Sequence, residues 1–367
     1  MQICYDYQVF ATQRYGGISR YFTEIAARIH RFPNVGVRVI APLYRNKYLR
    51  EKRKLIPVTG AYFSISFSRA TGFCLLADAL LSRASAAFYF PDIVHETYYS
   101  HSRTMRRATK TVISVYDMIA ELFPSSPSRR GEIIPARKAA FDRADHLICI
   151  SHNTRADLMR LYGVDPAKIS VIHLASSIVP TTKPPFSREE PYFLYVGGRW
   201  GYKNFLGFAQ AYRDSGLCNS HKVVCFGDVG FAPHELEGLS ELKLPLDRFE
   251  AVDGDDDLLA RYYASAVALI YPSLYEGFGI PLLEAMECGC PVLCAKSSSM
   301  PEVAGDAASY FDASDPSAIA DAMLKIVASP EQRQELIRKG RDRVRQFSWE
   351  RCAQQTFSVY ERLLSNQ

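Results

Sequence analysis

Short runs rich in Val and Ile alternate along the chain with segments of helical period. "QICYDY" reads as a strand, and after "RYGG" the residues Ile18, Tyr21, Phe22, Ile25 and Ile29 recur at the spacing of one helix face. Further strands are predicted at "VGVRVIA", "DIVH", "KTVISVYD", "DHLICIS" and "KISVIHLA". After "DHLICIS", Ser151 is placed to cap a helix that carries Leu158 and Leu161 and stops at Gly163.

"SSIVPTTKPPFSREEP" breaks the pattern with four prolines and neither period, and it marks the predicted boundary. A second alternating series follows: "YFLYVGG", "KVVCFGD", "RFEAVD", "VALIYP", "PVLCA" and "ASYFD". Strands alternating with helices imply parallel sheets covered on both faces. The expected architecture is therefore α/β, with two Rossmann-like domains at 1–178 and 191–348 joined by a linker at 179–190. A last helix beginning near Trp349 carries Cys352, Phe357, Tyr360, Leu363 and Leu364. It is expected either to cap the second domain or to cross back to the first.

The 367 residues suffice for two cores. Nine cysteines, mostly inside apolar runs, suit a reducing cytoplasm better than a disulfide framework. Cys288 and Cys290 are one residue apart, which is not a zinc or redox spacing. No leader pattern opens the chain, and the longest apolar stretch, "ATGFCLLADALLSRASAAFYF", is interrupted by Asp78 and Arg83 and reads as an amphipathic or buried helix.

The net charge of +5 conceals an asymmetry. Residues 1–190 hold 27 Lys and Arg against 15 Asp and Glu, whereas residues 191–367 hold 17 against 24. The basic runs Tyr44–Lys54 and Arg103–Lys110 suit a solvated face, an anionic membrane surface or an anionic acceptor. They lack the pattern of a nucleic-acid-binding module, so no nucleic acid is expected as a partner.

The densest chemistry lies in "YPSLYEGFGIPLLEAMECGCPVLCA", Tyr271–Ala295. The strand "VALIYP" ends there, and ligands of α/β sheets bind outside strand carboxyl ends. Gly277 and Gly279 allow close approach of backbone N–H groups, and Pro281 suits the first turn of a helix. Glu276 stays in the loop, while Glu284 falls about one turn into the helix. A helix start attracts phosphate and two acids attract hydroxyls, so a ligand bearing both, such as a sugar nucleotide, fits. Arg199 and Lys203 follow another strand end in "VGGRWGYKN", and both suit a diphosphate. No G-x-G-x-x-G follows any strand, which argues against nicotinamide or flavin.

Together "EGFGIPLLE", "GGRWGYK", "YGGISRY" and "ISHNTRADL" resemble family-4 retaining glycosyltransferases of the GT-B fold, in particular bacterial polysaccharide mannosyltransferases. The resemblance covers nearly the whole chain. It implies that Glu284 binds the nucleotide ribose, that Glu276 contacts the donor sugar, and that Phe278, Gly279 and Ile280 offer backbone groups to sugar and diphosphate. Arg199 and Lys203 would neutralise the departing diphosphate, with Gly16 and Gly17 shaping a first-domain loop over it. It also implies front-face transfer of a hexosyl group with retention, without metal or other cofactor. GDP-mannose is the expected donor, ahead of UDP- and dTDP-sugars. A glycan or lipid-linked glycan at the inner leaflet is the expected acceptor, with peripheral anionic-membrane contact through the basic domain.

Many relatives carry His-Asp where this chain has Tyr116 and Asp117. These two residues, and His95 at the end of "DIVH", are expected to line the sugar or acceptor site. Two other readings stay open: an epimerase or phosphorylase acting on sugar nucleotides, and a non-catalytic glycan-binding scaffold.

Overall fold

The computed structural model describes residues 1–63, 81, 89–105, 108–124, 130–183, 186, 188–228 and 230–365. The helix expected within 70–90, part of the Arg103–Lys110 run and part of the proline-rich boundary lie outside the described residues. The chain divides into two compact units. The first comprises Met1–Glu121, Ser128–Leu174 and Ser348–Gln367; the second comprises Leu122–Pro127 and Ala175–Phe347.

The first unit holds strands β1 (Gln2–Tyr5), β2 (Gly36–Tyr44), β3 (Val58–Tyr62), β4 (Ile93–Glu96), β5 (Lys110–Val115), β6 (His146–Cys149) and β7 (Ile169–Val171). They form one parallel sheet in the order β3-β2-β1-β4-β5-β6-β7. Its helices are α1 (Gln8–Thr12), α2 (Gly17–Ile29), α3 (Lys47–Glu51), α4 (Ile119–Leu122), α5 (Arg130–Arg143) and α6 (His152–Tyr162). Ser151 Oγ accepts from Thr154 N–H and Gly163 closes α6 in the left-handed conformation, the two signals that the sequence carried.

The second unit contains β8 (Tyr192–Gly197), α7 (Phe205–Asp214), β9 (Lys222–Gly227), α8 (Pro233–Glu241), β10 (Phe249–Val252), α9 (Asp256–Ser265) and β11 (Ala268–Tyr271). It continues through α10 (Ile280–Glu287), β12 (Val292–Ala295), α11 (Met300–Ala304), β13 (Ala308–Phe311), α12 (Pro316–Ala328) and α13 (Pro330–Val344). This sheet is also parallel, in the order β10-β9-β8-β11-β12-β13. Strands such as Ala268–Tyr271 and Val292–Ala295 are buried at every residue, as expected where helices cover both faces.

Both orders reverse once. In the second unit the chain moves outward from β8 through β9 to β10, then resumes at β11 on the other side of β8. β8 and β11 are therefore neighbours at a switch point, the position at whose strand carboxyl ends open α/β sheets bind ligands. In the first unit the corresponding strands are β1 and β4.

The last helix, α14 (Trp349–Ser365), belongs to the first unit. It packs on α2 through the rings of Tyr21 and Trp349, 6.3 Å apart, and buries Cys352, Thr356 and Tyr360.

Candidate functional site

The loop after β8 is built around local constraints. Trp200 folds over Gly198, where a Cβ would stand 2.5 Å from the end of its indole, so a side chain there would push the ring aside. Asn204 adopts the left-handed conformation at φ 56° and its Nδ2 donates to the carbonyls of Pro272 at 3.3 Å and Ala313 at 2.7 Å. Leu274 N–H donates to Tyr202 O at 2.7 Å. The loops after β8 and β11 are thus tied by backbone and amide bonds before any charge is considered.

On that frame Lys203 Nζ meets Glu276 Oε1 at 2.7 Å, the side chains being 15% and 10% exposed. The turn bearing Glu276 is held from the β12–α11 loop. Glu276 N–H donates to Ser298 Oγ at 2.9 Å, and Ser299 Oγ donates to the carbonyls of Glu276 and Phe278, each at 2.9 Å. Gly279, at φ 100°, lets the chain turn into α10, where Pro281 stands in the first turn. Phe278 and Gly277 are buried. Glu284, one turn on, accepts at Oε2 from Tyr263 OH at 3.1 Å. Burial pushes the Tyr263 and Tyr271 hydroxyls well above the usual phenol range, and the nearby carboxylates Glu284 and Glu276 reinforce it. Both phenols therefore stay protonated and act as donors.

Arg199 lies elsewhere in the same loop. Its Nε pairs with Glu235 at 3.1 Å, Nη1 donates to Asp228 O at 3.3 Å and Nη2 donates to Gly230 O, while its Cζ stands 4.7 Å from the Phe231 ring centre. The guanidinium therefore braces the β9–α8 loop, and Arg199 and Lys203 are held in separate ion pairs, with Glu235 and Glu276. Glu235 Oε2 also accepts from Ala232 N–H at 2.7 Å, which closes the start of α8. The acidic run Asp255–Asp257 serves α9: Asp255 caps Leu258 N–H at 2.9 Å, and Asp257 pairs with Lys183 at 2.5 Å.

Several members of this site carried no local signal. Glu235 and Tyr263 sit 36 and 21 residues from their partners in sequence. Ser298 and Ser299 had one readable cue, a serine run at the end of "PVLCA" leading into Met-Pro-Glu. Phe123 belongs to the short segment of the second unit drawn from residues 122–127. It packs on Tyr202 and Tyr275 with ring centres 5.7 and 6.0 Å apart.

In the first unit, Gly16 precedes α2 in extended backbone, with the Gln13 amide filling the place of a side chain, and Gly17 opens the helix. Gln13 Oε1 accepts from Ser19 N–H at 3.2 Å. Tyr116 follows β5 and is buried. Its hydroxyl donates to Thr97 O at 3.0 Å, its N–H donates to Tyr99 OH at 3.2 Å, and burial raises its pKa well above the phenol range. Asp117 accepts from Ile119 N–H at 3.0 Å and pairs with Arg137 at 2.9 Å; Arg137 also reaches Glu121 at 2.6 Å.

His95 departs from the expectation that it lines an acceptor cleft. It is fully buried, with Nδ1 2.6 Å from Tyr360 OH and Nε2 2.9 Å from Ser114 Oγ, and burial holds its pKa down at about 3. Both ring nitrogens are committed to the core, because α14 covers the sheet there. Asp6 is a buried acid unnoticed in the sequence. Thr97 donates to it from both N–H, at 3.0 Å, and hydroxyl, and Gln8 Nε2 donates at 2.8 Å, yet burial still raises its pKa.

Two parallel-sheet α/β units, each with one reversal of strand order, define the class: a protein of the GT-B fold. Comparison with known proteins makes the family explicit. Residues 15–175 match Glycosyltransferase Family 4, and residues 181–343 match glycosyl transferases group 1. The chain belongs to these glycosyltransferases. An O-antigen chain mannosyltransferase B from Escherichia coli is 32% identical over 238 residues, covering 61% of this chain and 62% of that protein. The O-antigen chain mannosyltransferase RfbU of Salmonella typhimurium is 28% identical, over 60% of this chain and 61% of its own. The aligned region thus spans about three-fifths of those curated relatives. Among solved structures, sucrose-phosphate synthase from Thermosynechococcus elongatus superposes with a TM-score of 0.76 at 18% identity, covering 100% of each chain. Anabaena HepE in complex with UDP and glucose gives 0.74 at 16% identity, again over 100% of each. These likenesses establish the GT-B fold.

Proposed function

We propose that the chain is a retaining hexosyltransferase that moves a sugar, mannose from GDP-mannose, onto a hydroxyl of a glycan or lipid-linked glycan in cell-surface polysaccharide synthesis. The observation that carries this reading is the Lys203–Glu276 pair at the β8/β11 switch point, with Glu284 one helical turn beyond. The choice of mannose rests on the names of the two O-antigen relatives.

In this reading the diphosphate lies against Lys203 and the N–H groups at Phe278, Gly279 and Ile280. Glu276 receives hydroxyls of the sugar and Glu284 those of the ribose. The acceptor oxygen attacks the anomeric carbon as its bond to the phosphate oxygen breaks, and the acceptor proton passes to that departing oxygen. The cation next to the leaving group does the electrostatic work, so neither metal nor cofactor is required. Arg199 acts through the β9–α8 loop as a positioning residue. Gly16 and Gly17, at the start of α2, are read as backbone contacts to the donor. Tyr116 and Asp117 lie at the carboxyl end of the sheet that would receive the acceptor.

Among the described residues no helix is long and apolar enough to cross a membrane. The proposed location is cytoplasmic, at the inner membrane face, held by Arg53, Lys54 and the adjacent Leu55, all exposed; Lys52 is engaged by Glu24 at 2.5 Å. Product analysis with GDP-mannose and a lipid-linked acceptor tests the proposal. A new α-linked hexose on the acceptor supports it. Conversion of the donor without an acceptor would instead favour the epimerase or phosphorylase reading.

A further inference from the structure

We propose that the loops following β1 and β2 form a receptor for a saccharide with a negative charge beside its ring, a sugar phosphate or a hexuronate. The inference rests on the acceptor reading above and names the chemistry of that acceptor. Tyr15 is 48% exposed on a braced loop. Its ring meets Tyr48 edge-on with centres 5.3 Å apart. Lys47 Nζ stands 4.7 Å from the Tyr15 ring centre and Arg14 Cζ 5.9 Å from it. Behind them Arg20, itself buried, lies 4.5 Å over the Tyr48 ring and donates to its hydroxyl.

The arrangement is rigidly built. Asn46 is fully buried; its Nδ2 donates to Gln13 O at 2.9 Å and its Oδ1 accepts from Leu49 N–H at 2.9 Å. Lys47 N–H donates to Arg14 O at 3.0 Å, and Arg45 N–H donates to Phe10 O at 3.1 Å. These bonds fix the Tyr15 loop to the start of α3. The loops lie at the carboxyl ends of two adjacent parallel strands, where α/β sheets bind ligands.

Charge identifies the occupant. On the neighbouring α2 face Glu24 pairs with Lys52 and Arg28, at 2.5 Å each, and Arg28 also pairs with Glu350 at 2.7 Å, so the two cations there are matched by two acids. Among the described residues neither Lys47 nor Arg14 has a carboxylate partner. An exposed aromatic face receives the C–H face of a sugar ring, and unpaired cations beside it receive an anion. An anionic membrane would use the charges without needing the braced ring.

Isothermal titration of the full chain with mannose 1-phosphate, methyl glucuronide, methyl mannoside and inorganic phosphate tests this directly, alongside Tyr15→Ala, Tyr15→Phe and Lys47→Ala. One or both charged sugars should bind more tightly than the neutral sugar and the bare phosphate, and the tighter of the two identifies the anion. Lys47→Ala should weaken that binding about tenfold, as expected for a lost charge-assisted contact. Tyr15→Ala should weaken it about fivefold through lost apolar contact, while Tyr15→Phe retains it. Charged sugars binding no better than phosphate, or equally well to Tyr15→Ala, would overturn the inference. So would binding confined to phosphatidylglycerol vesicles. Titration needs neither donor nor turnover, so a chain that transfers sugar but fails here loses only this inference. One that binds here but ignores nucleotide sugars loses only the transferase reading.

Discussion

Lys203 and Glu276 neutralise each other in a partly buried crevice, so each is exposed energetically when the other is removed. Lys203→Ala is predicted to lower kcat by about a hundredfold, the scale of losing one preorganised charge at a leaving group, and also to lower Tm, because Glu276 is left without its cation. Steady-state kinetics and thermal melting together check it. Arg199→Ala should lose stability in the same way without removing a charge from the leaving group. Glu235, with a side chain only 6% exposed, would be left without its cation, at a cost of roughly 3–5 kcal/mol. A clear fall in Tm is therefore expected for Arg199→Ala, and an unchanged Tm would contradict the bracing role. The acids of this site were legible because they flank a glycine turn at a strand end. The two cations were legible too, but their pairing was not: salt bridges across 36 and 73 residues leave no trace in local spacing. The same limit explains His95, which ends a strand as an active-site histidine would but is covered by a helix from the far end of the chain.

That covering helix, α14, sets the behaviour of the first unit. Its Tyr360 hydroxyl lies 2.6 Å from His95 Nδ1 and 3.3 Å from Tyr5 OH, while Ser114 joins His95 to Tyr21 OH at 3.0 Å. Tyr360→Phe leaves a buried nitrogen unpaired and should cost about 1–3 kcal/mol in chemical denaturation. The pH dependence follows in sign. The folded pKa of His95, about 3, lies below its ordinary 6.5, so below that ordinary value the unfolded chain binds the extra proton. Stability is fully present above about pH 6.5. It falls as pH drops toward 3, by up to about 1.4 kcal/mol per unit from this one group. His146, lowered to about 4 by burial and by Arg362, acts in the same direction. Melting curves across pH 4–7 should show a smaller decline for His95→Gln than for the wild type. An identical slope would mean that His95 is not held neutral. The amphipathic period of α14 was readable in the sequence, yet period alone left both docking partners open, because an apolar stripe does not say which sheet it covers.

At the scale of the molecule, the alternation of strand and helix exposed both parallel sheets, since buried parallel strands read as unbroken Val and Ile runs. Strand order was less accessible. It depends on which side of the first strand the chain resumes, and that choice places the β8 and β11 loops together. The segment 122–127, grouped with the second unit though it lies within the first half of the chain, was likewise invisible to composition. The charge asymmetry was visible from the start. The structure adds that part of it is cancelled locally, as at Glu24, and part is left facing outward, as at Lys47 and Arg14. The central claim is that the second unit binds a nucleotide sugar at Lys203, Glu276 and Glu284. The most direct measurement is calorimetric titration of GDP-mannose into the wild type, Lys203→Ala and Glu284→Ala. Saturable binding by the wild type is expected, weakened at least about tenfold in each variant. Equal affinity in all three proteins, or no binding of GDP-, UDP- or dTDP-sugars by the wild type, would contradict it.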